Sequence, residues 1–291
     1  MKNNRILFIL VSLCLLVGYA NAAESSAYIE ILGSGSINWA TGVFQSTGVG
    51  PPPEKKGAGD EAERVKAFNS SKTLAIKNMV TLVMATRVDA RSSVRDIASR
   101  NDRVMAKVEN LINASKVCKQ EYLSDGTVAI TLQMNIFGGF AQLILPEEIK
   151  QIETIKTVSN GKGSSPAGDS VSPPVNATEY YTGLVVDARG TQALPALVPV
   201  IVDENGKEVY GPAFVSREFA VQQGLGRYMI DMEAALKSPV AGSNPLLVKG
   251  LRAEGIDRSR VVLSNADASR VLSMSENLSF LKKCRVVIVF D

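Results

Sequence analysis

In the stretch TGLVVDARG, residues 182–190, an apolar run stops in Asp187, Arg189 and a glycine. Side chains two residues apart on a strand project to the same side, so Asp187 and Arg189 form an acid–base couple at a strand end. Two chemistries suit such a couple. With a second acid nearby, a carboxylate can serve in general acid–base catalysis, and Asp203 and Glu204 on the following hairpin are the candidates. Alternatively, the planar Arg189 fork can grip a carboxylate-bearing ligand through paired hydrogen bonds. The cheapest explanation is that the two neutralise each other, because exposed pairs of this kind contribute only about 0–1 kcal/mol.

What surrounds the couple narrows the choice. The chain has no histidine, which excludes Ser-His-Asp and Cys-His catalysis and the common imidazole-bearing zinc sites. A hydrolase here would need paired carboxylates, Ser-Lys chemistry or a metal held by oxygens. Ser279 and Lys282 have Ser-x-x-Lys spacing, but no Ser-Asp-Asn or Lys-Thr-Gly element accompanies them. Gly161-Lys162-Gly163-Ser164 lacks the earlier glycine and the strand and helix of a phosphate-binding loop. Gly33-Ser34-Gly35 precedes the first expected strand, whereas a dinucleotide-binding glycine loop follows one. Asp125 and Asp203 sit beside turn glycines without calcium-loop spacing. No cofactor or metal is implied. Asn-x-Ser/Thr occurs at Asn69, Asn113, Asn176 and Asn277; in a bacterial protein these are chance matches. Trp39 is read as a core residue, with a partner-anchoring role as the alternative.

Export frames the cysteines. Lys2 and Arg5, the apolar run Ile6–Val17 and Ala20-Asn21-Ala22 have the three-part form of a cleaved signal peptide. Leu13 precedes Cys14, and cleavage there would shorten the apolar run, which argues against lipidation at Cys14. Two cysteines then remain, Cys118 and Cys284. An oxidising compartment permits a disulfide between them, and two separate buried thiols are the other reading. The chain carries 32 basic and 29 acidic residues, and losing Lys2 and Arg5 leaves 30 against 29. That near-neutral balance offers no electrostatic footprint for nucleic acid. A hydrophobic content of 45% with 21% charged residues suits a folded protein.

The elements that must position these residues fall into two groups. Residues 37–49 read as a strand and 61–84 as a helix with a break at Ser71 and Lys72. Thr86, Val88 and Ala90 alternate with Arg87, Asp89 and Arg91 as in a strand, and Val104, Val108, Leu111 and Ile112 mark a second helix. Two alternating runs flank Ser124-Asp125-Gly126-Thr127, a hairpin signal. Ser159–Glu179 has linker composition. Beyond it, residues 180–189 read as a strand and Asn205-Gly206 as a hairpin turn. Residues 244–255 and 259–264 suggest strands, and 265–283 suggest a helix with Asn265 as its cap. Residues 284–291 are expected to form a central strand covered by its neighbours. The fold class is therefore α+β: two small domains, each a mainly antiparallel sheet with helices packed on one face. The boundaries are a signal at 1–22, a first domain at 23–148, a flexible linker at 149–178 and a second domain at 179–291.

The first domain carries AERVKAFNSSKTLAIKNMVTLVMATRVDA, then VENLINASKV, then YLSDGTVAITLQMNIFGG. Over roughly Gly35 to Phe140 this succession resembles the Lpp-twenty family of bacterial outer-membrane lipoproteins. It is also similar to the amino-terminal domain of the flagellar T-ring protein. The resemblance implies a periplasmic or outer-membrane-associated accessory protein whose partners are other envelope proteins, including outer-membrane or flagellar components. Three functions are thus expected in order: a non-enzymatic exported accessory protein acting through protein–protein contacts, a small-ligand or cell-wall binding module using Asp187 and Arg189, and a carboxylate-dependent hydrolase.

Overall fold

The computed structural model describes residues 26–52, 61–124, 126–149, 181–273 and 275–291. The expected signal, residues 1–22, and the expected linker beyond Ile149 lie outside these residues. The first unit is a five-stranded antiparallel sheet in the order β1-β2-β3-β5-β4. Its strands are β1 (Ile29–Leu32), β2 (Gly35–Asn38), β3 (Val43–Val49), β4 (Lys116–Tyr122) and β5 (Val128–Asn135). Glycine chemistry shapes its start. Gly33, with φ near +59°, turns β1 into β2, so the Gly33–Gly35 stretch joins two strands instead of preceding the first. The 37–49 strand of the sequence reading is broken at Gly42, with φ near +72°.

One face of this sheet is covered by α1 (Glu61–Ala85), which runs without interruption through Ser71. Ser71 is fully buried because its hydroxyl joins helix to sheet: it accepts from Gly50 N–H at 3.0 Å and lies 2.6 Å from the Val128 carbonyl. Gly48 permits the close approach, since a Cβ there would lie 2.2 Å from the Ser71 carbonyl oxygen. Short helix α2 (Val94–Ala98) begins at a reciprocal Ser93–Asp96 capping box, and α3 (Asp102–Asn113) begins at Asn101, whose side chain accepts from Arg103 and Val104 N–H. The alternation at 86–91 is not a strand of this sheet. Val88 N–H bonds back to Ser92, and the carbonyls of Arg87 and Val88 accept from Leu197 and Val198 of the second unit. A further short helix, α4 (Gly139–Ile144), follows β5.

The second unit holds a seven-stranded sheet in the order β8-β7-β11-β10-β6-β12-β9. These strands are β6 (Gly183–Asp187), β7 (Val200–Val202), β8 (Glu208–Tyr210), β9 (Arg227–Met229), β10 (Pro245–Glu254), β11 (Arg260–Leu263) and β12 (Val286–Val289). The α+β class and the two sheets stand, but this sheet departs from the expected antiparallel form. The pairs β6–β10, β6–β12, β12–β9 and β7–β11 are parallel, and β10–β11 and β7–β8 are antiparallel. Helices also cover both of its faces. Val185, Val287 and Val289 pack with Ala235 of α6 (Met232–Leu236). Leu184, Val186, Val286 and Ile288 face the main core with Leu281 of α8 (Ser275–Lys282). The physical reason is legible in β6 and β12: strands buried on both sides need continuous apolar runs, and parallel strands need crossovers that cover both faces. β12 is flanked on both sides, by β6 and β9. The remaining helices are α5 (Arg217–Gln223) and α7 (Asn265–Leu272); Ser264 caps α7, and Asn265 is its first residue.

The two units share one core. Apolar residues of both belong to a single buried cluster, from Phe44 and Phe140 to Leu184 and Phe290. Residues 26–28 bond to the β9 edge, Tyr28 N–H to the Tyr228 carbonyl at 3.1 Å and Ile230 N–H to the Ser26 carbonyl at 2.9 Å, before the chain enters β1. Trp39 is 4% exposed and packs edge-on against Tyr228, with ring centroids 5.6 Å apart. Phe137 lies between Gly42 of the first unit and Gly224 of the second, where an added Cβ would come within 1.9 and 2.6 Å of its ring. Arg227 stacks on that ring at 4.1 Å, and burial pushes its guanidinium down to about 10.

Candidate functional site

Asp187 ends β6, and Arg189 follows in the loop. The two close on each other: Arg189 Nε donates to Asp187 Oδ1 at 2.8 Å and Nη2 to Oδ2 at 2.9 Å, with the Arg189 backbone N–H also directed at Oδ1. Hydrogen bonding from Arg189 holds the Asp187 carboxyl below the usual carboxylate range, and Asp187 in turn raises Arg189. The fork that would grip a ligand is thus occupied by its own neighbour.

The structure does not bring Asp203 or Glu204 to this couple. The hairpin that holds them follows β7, which β11 and β10 separate from β6. Because β7 runs antiparallel to β6, that hairpin also lies at the opposite end of the sheet. Asp203 Oδ1 accepts from Asn205 and Lys207 N–H within its turn, and Glu204 Oε2 accepts from Asn265 N–H. The paired-carboxylate arrangement therefore does not form from these residues.

Other acids do gather around Arg189. The parallel strands β6, β12 and β9 run side by side, and each is followed or closed by an aspartate: Asp187, Asp291 and Asp231. Asp291 Oδ2 accepts from Gly190 N–H at 2.8 Å, Asp231 caps α6 by accepting from Ala234 N–H at 2.7 Å, and both acids help raise the Arg189 pKa. The recurrence of Val-Val-Asp, Val-Phe-Asp and Met-Ile-Asp at residues 185–187, 289–291 and 229–231 was the available signal for this rim. Beside it, at the carboxyl ends of β6 and β12, opens a cleft of about 410 Å³. Its floor includes Ala188 and Phe290, and Arg258 and Asp291 are its charged residues. Among the described residues no group of acids and cysteines is arranged to hold a metal ion.

The cysteines do not pair. Cys118 is exposed, at a bulge of the β4 edge, and its thiol is 3.4 Å from the Thr131 carbonyl. Cys284 is buried in the other unit just before β12, and burial pushes its thiol up to about 12. One thiol faces solvent and the other the core, so the disulfide alternative fails on geometry. Ser279 and Lys282 are both exposed on α8.

Sequence reasoning gave no position to β4 as an edge. All seven of its residues are exposed, and Val117, Tyr122 and the adjacent Leu123 present apolar surface to solvent. Leu123 N–H bonds to the Thr127 carbonyl. By the alternation of an antiparallel ladder, the N–H groups of Tyr122 and Gln120 then point away from β5.

No described helix is long and apolar enough to cross a membrane. No curated protein matches the chain. Residues 183–291, less than half of the chain, match the family described as Treponema pallidum Tp0624, second domain. The match opens at the first residue of β6 and closes at Asp291, so the second unit, with its rim of aspartates, is similar to the second domain of that protein.

Proposed function

We propose that the chain is a non-enzymatic, exported accessory protein of a bacterial envelope. It acts through protein–protein contacts in support of an outer-membrane or flagellar assembly. The signal-like residues 1–22 support export to the periplasm, and the resemblance of residues 35–140 to the Lpp-twenty and flagellar T-ring proteins supports the setting. The observation that carries the reading is β4. An open edge seven residues long, with outward backbone donors and exposed Val117, Tyr122 and Leu123, suits strand addition by a partner chain. The bulge at Cys118 and the lysines at 116 and 119 guard the same edge against indiscriminate pairing.

The test is capture of partners from membrane extracts by the tagged mature chain, with and without Gln120→Pro. Proline at an outward-facing edge position removes a free donor and leaves the β5 ladder intact. The reading expects captured envelope proteins to be lost with a retained fold. Undiminished capture, or capture of nothing by the unaltered chain, contradicts it.

A second reading, a small-ligand or cell-wall binding module at the strand end, is favoured by one observation, the cleft beside Asp291. The closed Asp187–Arg189 pair counts against Arg189 itself as the gripping residue.

A further inference from the structure

Three non-glycine residues have left-handed backbone among the described residues: Gln192, Arg258 and Cys284. Such conformations cost free energy and persist where surrounding structure enforces them, often at binding sites. Two of the three line one cleft, the opening beside β6 and β12. They hold each other there: Arg258 Nη1 donates to Gln192 Oε1 at 2.9 Å, and Leu194 N–H bonds to the Arg258 carbonyl at 3.0 Å. Thus the loop after β6 and the tip of the β10–β11 hairpin are fixed together over the strand ends.

Position strengthens the case. Sheets with parallel strands tend to bind ligands outside the carboxyl ends of those strands. Here the cleft lies outside the carboxyl ends of the neighbouring parallel strands β6 and β12. The cleft's volume, about 410 Å³, falls in the range of about 300–1,000 Å³ common for small-molecule sites. Residue Tyr28, from the segment that ties the two units together, also lines it, so the site exists only in the joined molecule.

The charges select the ligand. Arg258 has no ion-pair partner among the described residues, and Asp291 is held by a backbone N–H and by no cation within ion-pair distance. A polyanion such as a phosphate ester would face the Asp291 carboxylate. Among the side chains of the cleft, a metal ion would find one carboxylate and a guanidinium. A small zwitterion satisfies both groups: its carboxylate takes the Arg258 fork, its ammonium takes Asp291, and Ala193, Leu194 and Phe290 give apolar surface for a short side chain. We propose that the cleft lined by Arg258 and Asp291 binds an amino acid or short peptide through its opposite charges. This refines the second reading above and does not depend on contacts at β4.

The experiment follows amide shifts of the isotopically labelled mature chain on titration with L-alanyl-L-alanine, its N-acetyl form and its C-terminal amide. Saturable shifts at Gly190, Gln192 and Arg258 are expected with the free dipeptide. Removing either ligand charge, or introducing Arg258→Gln or Asp291→Asn, is expected to weaken binding about ten-fold or more, the scale of one lost charge-assisted hydrogen bond. Since Arg258 and Asp291 are exposed, spectra of both variants should otherwise retain their dispersion. Absence of saturable shifts with the free dipeptide, equal affinity for all three probes, or binding indifferent to both substitutions would each overturn the proposal. Loss of partner capture in the Gln120→Pro variant leaves this titration unchanged, so the two readings fail separately.

Discussion

The two sheets bury their strands by different rules. In β5 of the first sheet, Val128, Ile130, Leu132 and Met134 face the helix-covered core, while Thr131, Gln133 and Asn135 lie on the more open face. In β12 of the second sheet all four residues are buried, alternately against the main core and against α6. One sheet is a platform with a helix-covered face and an open edge; the other is a layer enclosed on both faces. The difference teaches that the pattern along a strand counts its covered faces, and covered faces in turn indicate pairing sense. It also places the free backbone groups: β12 has neighbours on both sides, and β4 has one.

The sharpest break in this comparison is to place a charge on each sheet. Ile288→Asp puts an unpaired carboxylate where exposure is 1%. It should abolish the cooperative fold, at a cost above about 4 kcal/mol. Val117→Asp, on a strand exposed throughout, should stay within about 0.5 kcal/mol of the unaltered chain in denaturant unfolding. Similar losses for the two would erase the distinction. The seam between the sheets comes next. Gly224→Ala meets both a φ near +76° and the Phe137 ring, and should destabilise by about 2–4 kcal/mol. Adding Phe137→Ala should recover the steric part, a non-additivity that a double-mutant cycle measures.

A smaller contrast lies in the thiols. A thiol reagent should label Cys118 in the folded chain within the dead time of manual mixing. Cys284 should react only on unfolding, because its buried thiol stays protonated at neutral pH. Equal labelling rates would contradict the burial of the second sheet's margin. The smallest effect is at the opening couple. Asp187→Asn should move Tm by less than about 3 °C at neutral pH. With its folded-state pKa depressed, Asp187 contributes stability above the ordinary carboxylate range and loses it as pH falls through the depressed value. The acid-side loss should therefore be slightly shallower in the variant.

Much of the element pattern was legible in sequence. The Asp-Gly and Asn-Gly cues marked both hairpins, and Gly126 and Gly206 take the positive φ that favours glycine in a tight turn. The unbroken runs at 184–186 and 286–289 held the signal for a parallel, doubly covered sheet, but the hairpin cues nearby favoured an antiparallel reading. The alternation at 86–91 is a true pattern with a remote cause, since its backbone partners are residues 197 and 198. Nothing local announces a pairing across about a hundred positions. The candidate site shows the same limit. Asp187 and Arg189 could be paired from spacing alone, whereas Arg258 reaches the strand ends only through the β10–β11 hairpin, whose length spacing does not fix.

The account rests on a joined pair of sheets that leaves β4 as an open edge. Residue-resolved hydrogen exchange on the folded chain tests both halves at once. The seam amides of Tyr28, Gly138, Leu197 and Val198 should exchange as slowly as those of β6 and β12, by global unfolding, while the outward amides of Gln120 and Tyr122 exchange far faster. Seam amides that open well before β6 and β12, or slow exchange at Gln120 and Tyr122 in the isolated chain, would contradict it.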